Sequence, residues 1–512
     1  MRSDEDDVKL NQILEGIDVH HIAGDYRGDI SDLCYDSKQC VPGSLFVAVP
    51  GLKHDGHAYV ADAVMRGSRY IVHEKEIEPH PGITFIKVRD CRRALGQLGK
   101  NFYGNPSSGM TLIGVTGTNG KTTVTFLVES ILTRAGCHVG VLGTINYRYA
   151  GKVYAAPHTT PESVVVQKIL RDMADAGVTH VVMEVSSHAV DLGRIDDCEF
   201  DIGIFTNLSQ DHLDYHETID RYFEAKRRFF VDVMKKGRVL VNGDDPWGVR
   251  LLHEIPRRET VTYGIEKPCT IRARTYTLRV NGISAEVTTE GGAFSVRSPL
   301  MGRFNLYNIL ASIAAACSLG IPVPVICAGI EGLERIPGRL EKVSGPGEPV
   351  VLVDYAHTED ALKKVLDSLL DIKEGRIITV FGCGGDRDRL KRPLMGSAAA
   401  SRSDITVVTS DNPRSENPLK IIEEIESGIA ALPVRKCTVD EIFRLAPGER
   451  GYTVIPDRRA SIDFAVARAE ERDIVLIAGK GHEDYQILGD RRIFFDDRVY
   501  AKEALAERRH GK

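Results

Sequence analysis

The run Thr111-Leu112-Ile113-Gly114-Val115-Thr116-Gly117-Thr118-Asn119-Gly120-Lys121-Thr122-Thr123 leads from an apolar segment through a glycine-rich turn into a helical pattern that continues through Leu132. Residues 111–115 read as a buried strand. In the turn, glycine lets backbone N–H groups face phosphate oxygens, and the following helix N-terminus adds a favourable dipole. Lys121 supplies charge and Thr122 a hydroxyl for Mg2+. The glycines fall at 114, 117 and 120, whereas the usual P-loop spacing places its first glycine where Val115 stands. The alternative is an ordinary glycine-rich strand-to-helix turn, but strand, loop and helix come in the order nucleotide binding needs. Gly117, Thr118, Asn119, Gly120, Lys121, Thr122 and Thr123 are therefore expected to hold a nucleotide. By itself the loop does not say whether the nucleotide is consumed, sensed or merely held.

Outward from this loop, short apolar runs at 180–185, 201–205 and 238–241 alternate with amphipathic segments. The habit returns at 350–353, 377–381, 405–409 and 474–478, while the first third is less regular. Such alternation predicts α/β units on largely parallel sheets. Two Gly/Pro/Ser-rich breaks, at 104–109 and 344–349, precede strands and suit linkers or exposed turns. For 512 residues the prior is about three domains. We expect an N-terminal substrate domain at 1–108, a central P-loop ATPase domain at 109–342 and a C-terminal Rossmann-like domain at 343–512.

A net charge of −6, with both signs mixed along the chain, gives no electrostatic reason to expect nucleic acid or an anionic membrane. The ten cysteines include no C-x-x-C pair and read as reduced thiols. Residues 1–7 are acidic where a secretory leader would be basic and then apolar. Residues 309–330 lack charge, but Gly320, Pro322 and Pro324 would break a spanning helix, so two buried pieces are expected there. These features predict a cytoplasmic protein, and nothing demands more than a monomer.

The strand ends are chemically loaded. Glu184 closes an apolar run and opens into Ser186-Ser187-His188; the next strand ends in Thr206-Asn207-Leu208-Ser209-Gln210-Asp211-His212. Helix capping explains some of these residues. A buried carboxylate, however, needs a partner such as Mg2+ or its water. Lys226 falls inside the helical stripe Ile219, Tyr222, Phe223, Phe229, Phe230 and Val233. It either snorkels from the stripe's edge or is held in an active site. Three late loops suit a small zwitterion: 382–387, Asp411-Asn412-Pro413-Arg414, and Gly479-Lys480-Gly481-His482-Glu483. Arg387 and Arg414 can bind carboxylates and Glu483 an ammonium, and Pro413 would stiffen its turn.

Together these motifs resemble the Mur ligases, and the similarity spans essentially the whole chain. It includes Asp36-Ser37, the P-loop, Thr159-Thr160-Pro161, residues 184–188, Lys226, Asn305 to Asn308, residues 337–341, residues 354–358 and the three loops. Asp-Asn-Pro-Arg at 411–414 resembles the narrower signature of family members that use diaminopimelate. The resemblance implies an ATP-dependent amide-bond ligase acting on small molecules: a UDP-muramoyl dipeptide, meso-diaminopimelate and ATP. It implies that Ser37, Thr159, Thr160, Ser186 and Arg194 bind the UDP-muramoyl dipeptide. Asn305, Asn308, Arg339 and Asp354 would lie near ATP. Thr122, Glu184 and His212 would lie in or near magnesium shells, with Lys121, Lys226, His212 and Glu184 as the catalytic set. Lys226 would carry CO2 as a carbamate (N6-carboxylysine). Arg387, Asp411, Asn412, Pro413, Arg414, Gly479 and Glu483 would hold diaminopimelate. His158, Lys38 and Glu359 depart from the family pattern, which expects Asn, Arg and Pro there. A folylpolyglutamate-type or lysine-adding ligase is the nearest rival, and Asp36-Ser37 and residues 411–414 argue against both. A non-catalytic nucleotide switch would have no use for Lys226 or the Arg387/Arg414 pair.

Overall fold

The computed structural model describes residues 8–51, 54–255 and 259–510; the acidic segment 1–7 lies outside them. Strand Thr111–Thr116 lies between the parallel strands His180–Glu184 and Ile202–Phe205. All three are buried almost throughout, as near-continuous apolar strands require when helices cover both sheet faces. Their sheet has eleven strands and runs parallel from Val139–Leu142 to Ile271–Arg279, with antiparallel strands finishing both edges. Helices Lys121–Arg134, Arg303–Ser318 and Val323–Glu331 cover one face, where Leu127, Ile131, Ile309 and Ile330 are fully buried. Helices Ser163–Asp175 and Ile219–Arg228 lie on the other, in a core that includes Leu170, Met173 and Phe223. At roughly 1.5–3 kcal/mol per buried large apolar side chain, these two cores fix the sheet that carries the loop.

The charge-free stretch 309–330 falls in two helices broken at Gly320, whose φ is +72°; the first is buried along most of its length, the second only on the face carrying Ile326, Gly329 and Ile330. Among the described residues no helix is long and apolar enough to cross a membrane.

The N-terminal unit is a five-stranded sheet in the order Val19–Ala23, Thr84–Val88, Tyr70–His73, Leu45–Val47, Leu33–Cys34. Only Val19–Ala23 is antiparallel. Its strands are two to five residues long, too short for a sustained sequence period, which is why this third reads as less regular. The C-terminal unit is a seven-stranded sheet. It is parallel from Val350–Asp354 through Ile474–Ala478, Ile377–Phe381, Ile405–Val408 and Gly451–Val454 to Arg435–Lys436, a Rossmann-like arrangement. Strands Ile474–Ala478, Ile377–Phe381 and Ile405–Val408 are neighbours, so the three zwitterion-type loops leave from one sheet edge. The molecule is thus a three-part α/β protein, as expected.

Candidate functional site

The phosphate-type loop has its shape because two positions tolerate only glycine. Gly117 has φ +144°, and a Cβ there would meet Thr206 Oγ1 at 1.9 Å. Gly120 has φ +90°, and its Cβ would meet Asn308 Oδ1 at 2.3 Å. The end of the neighbouring strand braces the loop: Thr206 Oγ1 and Asn207 Nδ2 donate to Asn119 O at 2.6 and 3.0 Å, and Asn119 N donates to Asn207 Oδ1 at 3.1 Å. Thr206 and Asn207 therefore position the loop, whereas Ser186 is indeed a helix cap, accepting from Ala189 N. Lys121 Nζ donates to the carbonyls of Gly117 and Thr118, each at 2.9 Å.

Strand register sets Glu184 beside Val115, at the carboxyl end of the sheet where ligands bind in such folds. Glu184 is 1% exposed. It accepts from Thr122 Oγ1 at 3.1 Å, Thr144 Oγ1 at 2.9 Å and Thr144 N at 2.9 Å. These neutral donors solvate the carboxylate without cancelling its charge, an arrangement that fits a hard cation with oxygen ligands. Thr144 was not picked out from sequence; its signal is Gly143-Thr144 directly after an apolar run, and a Cβ at Gly143 would meet Glu184 Oε1 at 2.6 Å. Thr159 Oγ1 lies 3.1 Å from Thr144 Oγ1, and Thr160 Oγ1 donates to Glu184 O at 2.8 Å. His212 has φ +53° and faces the rings of His188 and Tyr222. Burial holds its pKa down at about 4 despite Asp211 beside it. Among the described residues no three His, Cys, Asp or Glu side chains form a metal-binding group. The fit for a cation therefore rests on Glu184 and the hydroxyls around it.

Lys226 is 1% exposed, which rules out snorkelling. Its Nζ donates to Gly117 O at 2.9 Å and lies 4.6 Å from the centre of the Tyr222 ring. Burial first, and Lys121 second, push its pKa well below the usual lysine range. A buried lysine biased toward its neutral amine, pinned to the phosphate-type loop, suits nucleophilic addition to CO2.

A cavity of about 860 Å³ lies between the central and C-terminal units. Its wall includes loop residues 118–123, Glu184, Thr159, Ser186, His212 and Asn308 on one side and Asp354 on the other, with Arg339 at the junction of the two units. Arg339 Nη2 donates to Thr122 Oγ1 at 3.3 Å, linking the two walls. Buried Asp354 accepts from Leu340 N and Ala356 N, shaping the turn that carries Arg339. Asn305 is outside the wall and accepts from Asn308 Nδ2 at 3.0 Å, orienting it. Ser37, Thr160 and Arg194 are also outside it. Arg194 donates to Thr160 O at 2.9 Å and pairs with Glu162 at 2.6 Å. Burial raises the pKa of Tyr35, with Glu162 adding and Arg194 opposing, so this pair lies within electrostatic reach of the residue before Asp36-Ser37.

The three C-terminal loops form a second cluster, outside that cavity wall. Asn412 Nδ2 donates to Glu483 Oε2 at 3.1 Å. A Cβ at Gly479 would lie 3.2 Å from Asp411 Oδ2. Arg414 has φ +52° and donates through Nη1 to Gly385 O at 2.7 Å. Arg387 is exposed and donates only to Asp386 O among the described residues. Lys480, which no sequence pattern marks, is fully buried with Nζ 3.5 Å from Asp411, 3.3 Å from Asn412 and 3.5 Å from Glu483. The hairpin Tyr485–Leu488 and Arg491–Phe494 is likewise unmarked in the sequence, and from it Gln486 and Ile487 bond to Asp411 and Asn412.

Three family models match the chain: "Mur ligase family, catalytic domain" at 29–103, "Mur ligase middle domain" at 115–316 and "Mur ligase, glutamate ligase domain" at 338–481. The chain is 46% identical over 506 residues to UDP-N-acetylmuramoyl-L-alanyl-D-glutamate--2,6-diaminopimelate ligase of Geobacter metallireducens, covering 98% of this chain and 99% of that protein. It is 44% identical over 483 residues to the ligase of the same name from Thermosynechococcus vestitus, covering 94% of each. A solved structure of a ligase of that name superposes with a TM-score of 0.71 at 31% identity, covering 98% of this chain and all of that one. MurF of Thermotoga maritima, in complex with ADP, shares the fold with a TM-score of 0.61 at 20% identity, over 93% of this chain and 96% of that one.

Proposed function

The chain belongs to the Mur ligase family, and from that premise we propose how its residues work. It is a carboxylate–amine ligase of peptidoglycan synthesis that adds meso-diaminopimelate to the D-glutamate of UDP-N-acetylmuramoyl-L-alanyl-D-glutamate with ATP. The observation that carries the site assignment is the pairing of a phosphate-type loop, braced at Asn119, with an Asp411–Asn412–Lys480–Glu483 cluster in the C-terminal unit. Residues 1–108 grip the UDP-sugar, 109–342 hold ATP and 343–512 hold the incoming amino acid, each a small molecule. The protein acts in the cytoplasm as a monomer, without nucleic-acid or membrane partners.

A carboxylate is a poor electrophile in water, so it is first activated. The D-glutamate γ-carboxylate attacks the γ-phosphorus, the β,γ bridging P–O bond breaks, and ADP leaves an acyl phosphate behind. A neutral diaminopimelate amine then attacks the acyl carbon through a tetrahedral intermediate, phosphate departs, and the nitrogen loses its proton. Phosphoryl transfer depends mainly on positioning and electrostatics. Loop N–H groups and Lys121 set against the phosphates do this work, and one such donor is worth about 3–4 kcal/mol. Thr122 and Glu184, with His212 on the same cavity wall, would hold Mg2+, which would neutralise phosphate charge. Lys226 as a carbamate would place an anion on the loop's side of that site. Ser37, Thr159, Thr160, Ser186 and Arg194 orient the UDP-dipeptide; Asn305, Asn308, Arg339 and Asp354 frame ATP. Asp411, Asn412, Arg414, Gly479 and Glu483 bind diaminopimelate, with Pro413 stiffening the turn and Arg387 reaching in from solvent.

The test is phosphate release with ATP, Mg2+ and the UDP-dipeptide, comparing meso-diaminopimelate with L-lysine. Release confined to diaminopimelate, with a product heavier by one residue, is expected. Release with lysine alone overturns the reading of residues 411–414, and silence with both overturns the ligase assignment.

A further inference from the structure

The N-terminal unit contains a pair of thiols that the ligase reaction does not use. Cys34 ends strand Leu33–Cys34, and Cys40 follows the short helix Ser37–Gln39. Their Sγ atoms are 2.7 Å apart, well inside the ordinary contact distance of two sulfurs, and no other pair of thiols touches among the described residues. Both are buried, Cys34 at 3% and Cys40 at 8% exposed, so Cys40 is the more open of the two. Hydroxyls line the pair: Ser44 Oγ is 3.8 Å from Cys34 Sγ and 2.7 Å from Ser68 Oγ. The turn between the cysteines is held by Asp36, which accepts from Lys38 N at 3.1 Å, and by Cys40 N donating to Ser37 O at 3.2 Å.

We propose that Cys34 and Cys40 are a reversible oxidation site whose disulfide closes a ring around the Asp36-Ser37 turn and tightens binding of the UDP-dipeptide. A disulfide needs S–S of about 2.05 Å, so the thiols have little distance to close and the turn keeps its shape. Cys40 is the more open of the two, and the Cys34 thiol donating to it lowers its pKa, helped by Ser68 and Ser44 and opposed by burial, so Cys40 is the thiolate that reacts first. Burial instead pushes up the thiols of Cys91, Cys198 and Cys383, leaving them inert at neutral pH. With a peroxide as oxidant, the Cys40 thiolate attacks one oxygen, the O–O bond breaks, and a sulfenic acid and hydroxide result. The Cys34 sulfur then attacks the sulfenic sulfur: S–S forms, S–O breaks, and the Cys34 proton leaves with the hydroxyl as water. Two thiols are oxidised and one peroxide is reduced to two waters. Intracellular disulfides are chiefly transient and redox-sensing, and a dithiol exchange reverses this one. The ring removes conformational freedom from a turn that must be ordered in the complex, and pre-ordering strengthens binding.

The effect on binding rests on the reading that Ser37 contacts the UDP-dipeptide; formation of the bond does not. The full-length protein is treated with hydrogen peroxide, quenched with catalase, blocked with N-ethylmaleimide and digested with trypsin. Trypsin cuts after Lys38, between the two cysteines, so the disulfide appears as two joined peptides that dithiothreitol separates. Joined peptides are expected in the wild type and not in Cys34→Ser or Cys40→Ser, with Cys34→Ser accumulating oxidised Cys40. Cys34 and Cys40 both blocked by maleimide after peroxide treatment overturns the proposal, and that result is independent of any ligase assay. In the assay, oxidation is expected to lower KM for the UDP-dipeptide by about fivefold, a typical coupling between linked sites, leaving KM for ATP unchanged. An unchanged KM with the bond formed overturns the link to binding.

Discussion

Lys226 lies on an apolar helix stripe yet is 1% exposed, with its nitrogen on the carbonyl of Gly117. A side chain held there for packing alone would be replaceable by an apolar one. If it carries a carbamate, Lys226→Ala loses about a thousandfold in phosphate release, and a 13C carbamate resonance formed from labelled bicarbonate disappears with it. Unchanged turnover in the variant removes Lys226 from the mechanism. His482 makes a separate prediction. Burial, with Arg339 and Arg498 adding, lowers its pKa from 6.5 to about 4, and its Nδ1 has no partner among the described residues. Between those two values the unfolded chain binds a proton that the folded protein refuses, so stability falls as pH drops from about 6.5 toward 4. The melting temperature is expected to fall more between pH 7 and pH 5 in the wild type than in His482→Gln; equal slopes count against it. The oddness of Lys226 was legible in the sequence because a charge breaks a stripe. The proton refusal of His482 was not, because burial is a property of everything packed around it.

Among the elements, the loop between Thr111–Thr116 and Lys121–Arg134 has the clearest requirement. Gly120→Ala would set a methyl 2.3 Å from Asn308 Oδ1 at φ +90°. The left-handed conformation alone costs about 1–2 kcal/mol, and moving Asn308 disturbs the wall of the cavity. ATP affinity by calorimetry is expected to fall at least about tenfold, equivalent to 1.4 kcal/mol. Gly109→Ala, where a Cβ meets nothing within 4 Å, is the control and binds ATP as the wild type does. Equal affinity in both variants argues against this loop as the nucleotide site. The strand–loop–helix order was readable because its chemistry is local. The hairpin Tyr485–Leu488 and Arg491–Phe494 was not, since its contacts to Asp411 and Asn412 span more than seventy residues.

For the whole molecule the decisive surface is the seam between the central and C-terminal units. Asp360 accepts from Asn119 Nδ2 at 3.1 Å and Ser209 Oγ at 2.6 Å, so a C-terminal helix touches the phosphate-type loop directly. An acyl phosphate must be kept from water, and closure of the units around it would do so. Small-angle scattering is expected to show a more compact particle with ATP and the UDP-dipeptide than without ligands. Identical profiles count against closure.

The sequence by itself determined the elements whose physics is short-range: the phosphate-type loop, the parallel α/β habit, the break at Gly320, and the charged loops after apolar strands. Each depends on residue spacing and local backbone freedom, which a single chain displays. The tertiary structure alone decided which distant groups meet. It set Thr144 on Glu184, Lys480 among Asp411, Asn412 and Glu483, and Arg339 on Thr122. These contacts follow from strand order and helix packing across whole domains, and no local pattern encodes where two strand ends will lie.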